Sequence, residues 1–220
     1  MLNRQRVMAL AMLASVSALG MVAVARSAPT TDPSQLPEIK GVVERYSLAP
    51  RGEVDGLILT DGTEIHLPPH LADELTTAVK PGSAVTVHGL RTLRLPLVDA
   101  ASVTDDASGK TVIDEGPSSW PKLPQFDRRS ELSAQGKVRM ALHGPRGETN
   151  GVLLEDGTFL RLPPHEAVRI ADMLAPGQMI AARGPGVSGP NGTVIEAELL
   201  GPSLDQLAKL APPPPPDGKA

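Results

Sequence analysis

Histidine is the side chain best suited to exchange protons or hold a metal near neutral pH. The chain has five: His66, His70, His88, His143 and His165. His70 and His165 stand 95 residues apart, each ending the tetrapeptide Leu-Pro-Pro-His. Proline suits the first turn of a helix, so both rings are expected at a helix start. There the helix dipole disfavours an imidazolium and keeps the ring neutral. A neutral ring can ligate a metal, and His66 lies four residues before His70, which makes these two the weak metal candidates. A catalytic zinc centre wants three protein ligands. The second copy has Arg161 where the first has His66, and a cation repels a metal. The expectation is therefore a structural histidine, hydrogen-bonded near the helix.

Arg51 and Arg146 form a second matched pair, each in the loop Pro-Arg-Gly-Glu, with Glu53 or Glu148 two residues on. Arginine recognises phosphate or carboxylate bidentately. The plainer reading is a solvated turn in which proline sets φ and glycine permits a positive φ. Arg51, Glu53, His70, Arg146, Glu148 and His165 are together the candidate ligand-binding residues. Other constellations fail. Gly184-Pro185-Gly186-Val187-Ser188-Gly189 spells a dinucleotide-binding pattern, but that pattern works only between a strand and a helix. Here Pro190-Asn191-Gly192, a turn, follows. Pro190 also stands where a nucleophile elbow needs glycine. Asp61 and Asp156 are matched, but a turn accounts for them. A glycosidase needs two carboxylates facing one bond, and each copy supplies one. No catalytic residue and no cofactor is implied, and the expectation is a protein that is not an enzyme.

These residues sit in a duplication. Gly41–Gly89 aligns without gaps on Gly136–Gly184, with 19 of 49 positions identical. The identities cluster at Pro-Arg-Gly-Glu, Asp-Gly-Thr, Leu-Pro-Pro-His and Pro-Gly. Each copy predicts the same elements. A strand over Glu38–Leu48, or Gly136–His143, opens it. Gly56–Thr60 and Thr63–Leu67 flank Asp61-Gly62, which predicts a tight two-residue hairpin with both turn residues at positive φ; the copy repeats it around Asp156-Gly157. A helix over Pro69–Val79 carries Leu71, Leu75, Ala78 and Val79 on one face; its copy carries Ala167, Ile170, Ala171 and Leu174. Pro81-Gly82 and Pro176-Gly177 stop it. Ala84–His88 or Met179–Ala182 makes a fourth strand. Leu97–Val103 or Thr193–Leu200 makes a fifth.

Three strands, a helix and two strands in such a span resemble the OB-fold family, a five-stranded Greek-key barrel with a helix between strands three and four. The chain also resembles exported bacterial OB-fold proteins. The resemblance implies a mainly β chain of two tandem five-stranded OB-like barrels. It also makes the Arg51 and Arg146 loops ligand-contacting ones. Repeat 1 is expected over 37–104, a linker over 105–133 with one added strand at Lys110–Ile113, and repeat 2 over 134–203. Trp120, within the linker, reads as its anchor on a barrel. A Pro-rich tail is expected over 204–220, and residues 26–36 and Pro212–Ala220 are expected to be disordered.

Met1–Arg6 is basic, Val7–Ala25 is uncharged and apolar, and Ala23-Val24-Ala25 offers small residues for cleavage. This is the three-part pattern of a signal peptide over 1–25, placing the chain in the periplasm or outside the cell. The competing reading is an uncleaved inner-membrane anchor at residues 7–25. With no cysteine there can be no disulfide, thiolate metal site or thiol nucleophile. The formal charge is −4, and about −6 without Arg4 and Arg6, which argues against a general nucleic-acid or anionic-membrane surface. The aromatic residues are Tyr46, Trp120, Phe126 and Phe159. Neither copy shares an aromatic platform with the other, so single-stranded nucleic-acid binding is the weaker alternative. The expected function is an exported binding or adaptor protein, with an envelope protein or glycan as partner.

Overall fold

The computed structural model describes residues 32–116 and 129–211. The signal peptide expected over 1–25, the expected linker anchor Trp120, and the residues from Pro212 onward lie outside them. The described residues belong to one compact unit and form two closed β-barrels. Among them no helix is long and apolar enough to cross a membrane.

The first barrel comprises β1 (Glu38–Leu48), β2 (Val54–Leu59), β3 (Glu64–His66), α1 (Ala72–Ala78), β4 (Ala84–Arg91) and β5 (Leu97–Asp105). The strands run β3-β2-β1-β4-β5, and β3 closes the ring by pairing parallel with β5, Ile65 opposite Val98. Closure pairs both edges of the five-stranded ring. An added strand, β6 (Thr111–Ile113), flanks β5. Its position agrees with the expectation from Lys110–Ile113.

The second barrel repeats the plan with β7 (Ser130–His143), β8 (Thr149–Leu154), β9 (Phe159–Arg161), α2 (Pro164–Arg169), β10 (Met179–Gly189) and β11 (Gly192–Glu196). Here β9 and β11 make the parallel closing pair. The expected fifth strand, Thr193–Leu200, is split. β11 pairs with β9, then β12 (Leu199–Gly201) resumes the ladder against β10. A two-residue strand, β13 (Ala208–Lys209), flanks β12, so the start of the stretch expected to be a tail is ordered. The first strand begins at Ser130, inside the stretch expected to be linker. Residues 33–35 form a 3-10 turn capped by Asp32, whose carboxylate accepts from the Ser34 N–H, where disorder was expected.

Local chemistry explains the shared turns. Leu59 donates to the Thr63 carbonyl and Gly62 to the Leu59 carbonyl, at 2.9 Å each. This is a three-residue loop, not the expected two-residue one. Only Gly62 is left-handed, at φ 84°; Gly157 matches it at φ 91°. Asp61 instead stays at negative φ and accepts from the Thr63 N–H at 2.9 Å, and Asp156 does the same for Thr158. The aspartate serves as a side-chain cap, and glycine alone takes the strained position. After Pro-Pro, a 3-10 turn (Pro69–Leu71) leads into α1. In the copy, α2 comes first and a 3-10 turn (Ala171–Leu174) follows. Leu71, Leu75 and Val79 cover one barrel's end; Ala167 and Leu174 cover the other's. Tyr46 donates its hydroxyl to the Val79 carbonyl at the C-terminal end of α1, 2.7 Å away.

Both first strands carry bulges at matching places, between Val43 and Arg45 and between Val138 and Met140. A bulge bends a strand and leaves one residue outside the ladder. Here those residues are Glu44 and Arg139, 95 apart, and they pair with each other by both carboxylate oxygens.

Candidate functional site

The contacts between the barrels are reciprocal. Glu64 on β3 takes the His143 backbone N–H at 2.9 Å and ring Nδ1 at 2.6 Å, and His143 ends β7. Arg161 on β9 reaches back to Leu48, which ends β1. The third strand of each barrel thus grips the end of the other's first strand. The Pro-Arg-Gly-Glu loops repeat the rule. A β-carbon placed at Gly52 would come 3.0 Å from Val187 in the second barrel's β10–β11 hairpin. One at Gly147 would come 3.1 Å from Leu95 in the first barrel's β4–β5 hairpin. Contacts of i with j and of j with i are the signature of a two-fold interface. The seam is apolar at its heart: Leu142, Leu153, Phe159 and Val194 join the first barrel's core cluster.

Arg161 is the most committed side chain of this seam, at 3 % exposure. Nε donates to the Leu48 carbonyl at 2.8 Å and Nη1 to Asn150 Oδ1 at 2.8 Å. Nη2 reaches Ser47 Oγ at 3.1 Å and Asp55 Oδ2 at 3.3 Å. Asp55 and Asn150 occupy the same position of the two copies. Desolvating a guanidinium is costly unless its donors are satisfied, and four acceptors here meet that need.

Arg161 also forms part of the floor of an open cleft of about 700 Å³. Its walls come mostly from the second barrel, with Leu162, Pro163 and Pro185 on the apolar side. Pro50 is contributed by the first barrel's Pro-Arg-Gly-Glu loop. Arg129, Glu196, Glu198 and Lys209 supply charge, and Arg129 bonds Glu196 at 2.9 Å. Such a cleft can hold an extended polar ligand: it presents apolar walls, a peptide-like amide at Asn150, and both signs of charge.

The residues expected from sequence do not converge on one place. Arg51 and Arg146 are exposed at the tips of their loops, one on each side of the seam. Glu53 and Glu148 lie half-buried behind them. Both loops therefore touch a partner barrel within the same chain. His70 borders a second pocket, of about 410 Å³, with Leu71, Glu74, Thr111, Ile113 and Glu115. Arg51 is not in its wall. His165 Nε2 bonds the Ala211 carbonyl at 3.1 Å. Each post-proline histidine thus sits against the segment that leaves its barrel, β6 in one and the stretch after β13 in the other. His66 is buried in β3 at 8 % exposure. Among the described residues no group of three or more potential metal ligands comes together.

Sequence reasoning missed Arg161, Asn150 and Arg129 as cleft residues. The change from His66 to Arg161 is visible in the alignment of the copies, as is the same change from His88 to Arg183 on the fourth strands, and only burial separates the two.

No protein-family description matches the chain, and no curated protein matches it. Solved structures that resemble it include a deletion mutant of the single-stranded DNA-binding protein from Thermus aquaticus. That structure is 15 % identical, covers 82 % of this chain and 96 % of its own, and superposes with a TM-score of 0.21. At that score the likeness carries no argument about ligand or activity.

Proposed function

We propose that the chain is an exported, non-enzymatic binding or adaptor protein. Its ligand is an extended segment of an envelope protein or glycan held in the Arg161 cleft. The observation that carries this reading is the cleft itself: a wide, mixed-polarity groove whose floor is a buried guanidinium locked by four acceptors. A rigid, satisfied floor presents the same face to every ligand and loses little entropy on binding. The matched residues of the two barrels are spent on turns and on the seam, which leaves no matched catalytic set.

Affinity purification with the intact chain from envelope extracts should recover a partner that Lys209→Glu no longer retains. Lys209 is exposed at the cleft rim, so its reversal leaves the barrels intact. A partner retained equally by both proteins refutes the cleft, and turnover of a cell-wall substrate by the chain refutes the non-enzymatic reading. Nucleic-acid binding lacks its stacking platform among the described residues, since Tyr46 and Phe159 are both buried. Titration with short single-stranded DNA at low salt is expected to give no complex, because electrostatic binding would be strongest there.

A further inference from the structure

We propose that the β4–β5 hairpin of the first barrel, with the neighbouring loop of the second, docks the protein on an anionic lipid surface. Leu93 is 89 % exposed and Leu90 is 58 % exposed, the first being the most exposed large apolar residue described. Arg91 and Arg94 flank Leu93, and both are exposed. Arg146 comes from the other barrel. Its neighbour Gly147 packs against Thr92 and Leu95, so Arg146 emerges beside the same hairpin. Among the described residues none of these three arginines bonds a carboxylate. Of the hairpin's two acids, Asp105 lies at its far end opposite Val85, and Asp99 faces Leu90 across the ladder.

Arg94 holds φ 68°, the one left-handed residue other than glycine among those described. A β-carbon disfavours that conformation, and at this tip it turns Leu93 and Arg94 outward. The equivalent hairpin of the second barrel is Val187-Ser188-Gly189-Pro190-Asn191, with neither charge nor exposed leucine. A duplication that preserved its turns has replaced this one with alternating leucine and arginine.

The shape selects the partner. Leu93 stands on a convex tip, outside both clefts described above. A tip cannot enclose a peptide, but it can bury itself among acyl chains. Arginine stems then lie along the apolar boundary and the guanidinium groups bond lipid phosphates. The chain's net negative charge does not oppose this, because screening limits its reach to about a Debye length, roughly 10 Å.

The chain has no cysteine, so Leu93→Cys in the full chain gives one labelling site for an environment-sensitive fluorophore. Asn191→Cys at the tip of the equivalent hairpin is the control. Both positions are exposed, so neither substitution disturbs a core. Vesicles of phosphatidylglycerol in phosphatidylcholine should raise and blue-shift emission at position 93 by roughly twofold or more, as for an apolar tip entering the interface. Position 191 and pure phosphatidylcholine should give little change. Arg91→Glu with Arg94→Glu should abolish the response. An unchanged signal at 93, an equal signal at 191, or the same response to a polyglutamate peptide each overturns the proposal. Because the comparison is between two positions of one chain, any membrane attachment through residues 7–25 acts on both and cancels.

Discussion

The two crossings of the seam start from equivalent strands, two residues out of step, and use opposite chemistry. From the second barrel, Arg161 reaches into the first and satisfies itself on a carbonyl, a hydroxyl and a carboxylate there, together with Asn150 of its own barrel. From the first barrel, Glu64 reaches into the second and accepts two bonds from His143. One crossing is a buried permanent cation that donates; the other is a buried carboxylate that accepts. The fold demanded a polar tie at both places and left its chemistry open. Divergence after duplication was therefore free to recess one guanidinium beneath a cleft, at the position that aligns with His66, while the first barrel's third strand made its clasp two residues earlier, at Glu64, which aligns with Phe159.

Substitutions can break this comparison, beginning with its stronger side. Arg161→Ala leaves the Leu48 carbonyl and the Asp55 carboxylate buried without their donor, and it should cost about 3 kcal/mol in urea unfolding. Glu64→Ala removes two bonds to a charged acceptor and should cost about 2 kcal/mol in the same measurement. If the two losses were equal, or reversed in order, the seam would be symmetric in energy as well as in position. The Glu44–Arg139 pair is partly exposed, with side-chain exposures of 20 % and 37 %, so Arg139→Ala should cost about 0.5 kcal/mol. A charge swap, Glu44→Arg with Arg139→Glu, should restore most of it, since the two bulges face each other.

Acid sharpens the contrast between the barrels. The Asp105 carboxyl is held down to about 2 by the Ser83 hydroxyl and then by the Ser108 N–H and hydroxyl, with both Ser108 bonds at 2.8 Å. A carboxyl lowered in the folded state favours folding above its ordinary value and loses that contribution as pH falls toward the folded value. Stability should therefore decline between about pH 4 and pH 2, and Asp105→Asn should flatten that decline by lowering stability at neutral pH rather than by raising it in acid. The Glu44 carboxyl, lowered chiefly by its hydrogen bonds to Arg139, acts in the same direction. Leu199–Ser203, where the second barrel's fifth strand ends, has no carboxylate. Hydrogen exchange in acid should accordingly open the first barrel's exit turn before the second's.

Much of each barrel was legible because its information is local. Asp-Gly-Thr specifies a turn, Pro-Pro specifies a helix start, and β1 occupies the stretch read from sequence, Glu38–Leu48. The hairpin type was misread because Asp-Gly fits two turns, and only the register of Leu59 against Thr63 separates them. The break between β11 and β12 was invisible because it depends on which neighbour each half pairs with. The candidate site was less legible still. Pro-Arg-Gly-Glu looks the same whether it meets a ligand or a sister barrel, and burial of Arg161 is a property of residues 106 to 114 positions away. One clue to the seam is in the sequence: Glu44 and Arg139, aligned with each other, carry opposite charges, as suits a residue that meets its own duplicate.

The reciprocal seam has a consequence for how the protein behaves when scarce. A self-complementary patch on separate molecules must find its mate by collision, and dilution pulls the pair apart. Joined in one chain, the two patches meet at an effective concentration set by their tether, of millimolar order. No fall in total protein can then separate the barrels, and the patch is saturated before any neighbour arrives. This surface is closed to further copies, so any larger assembly must grow from another face.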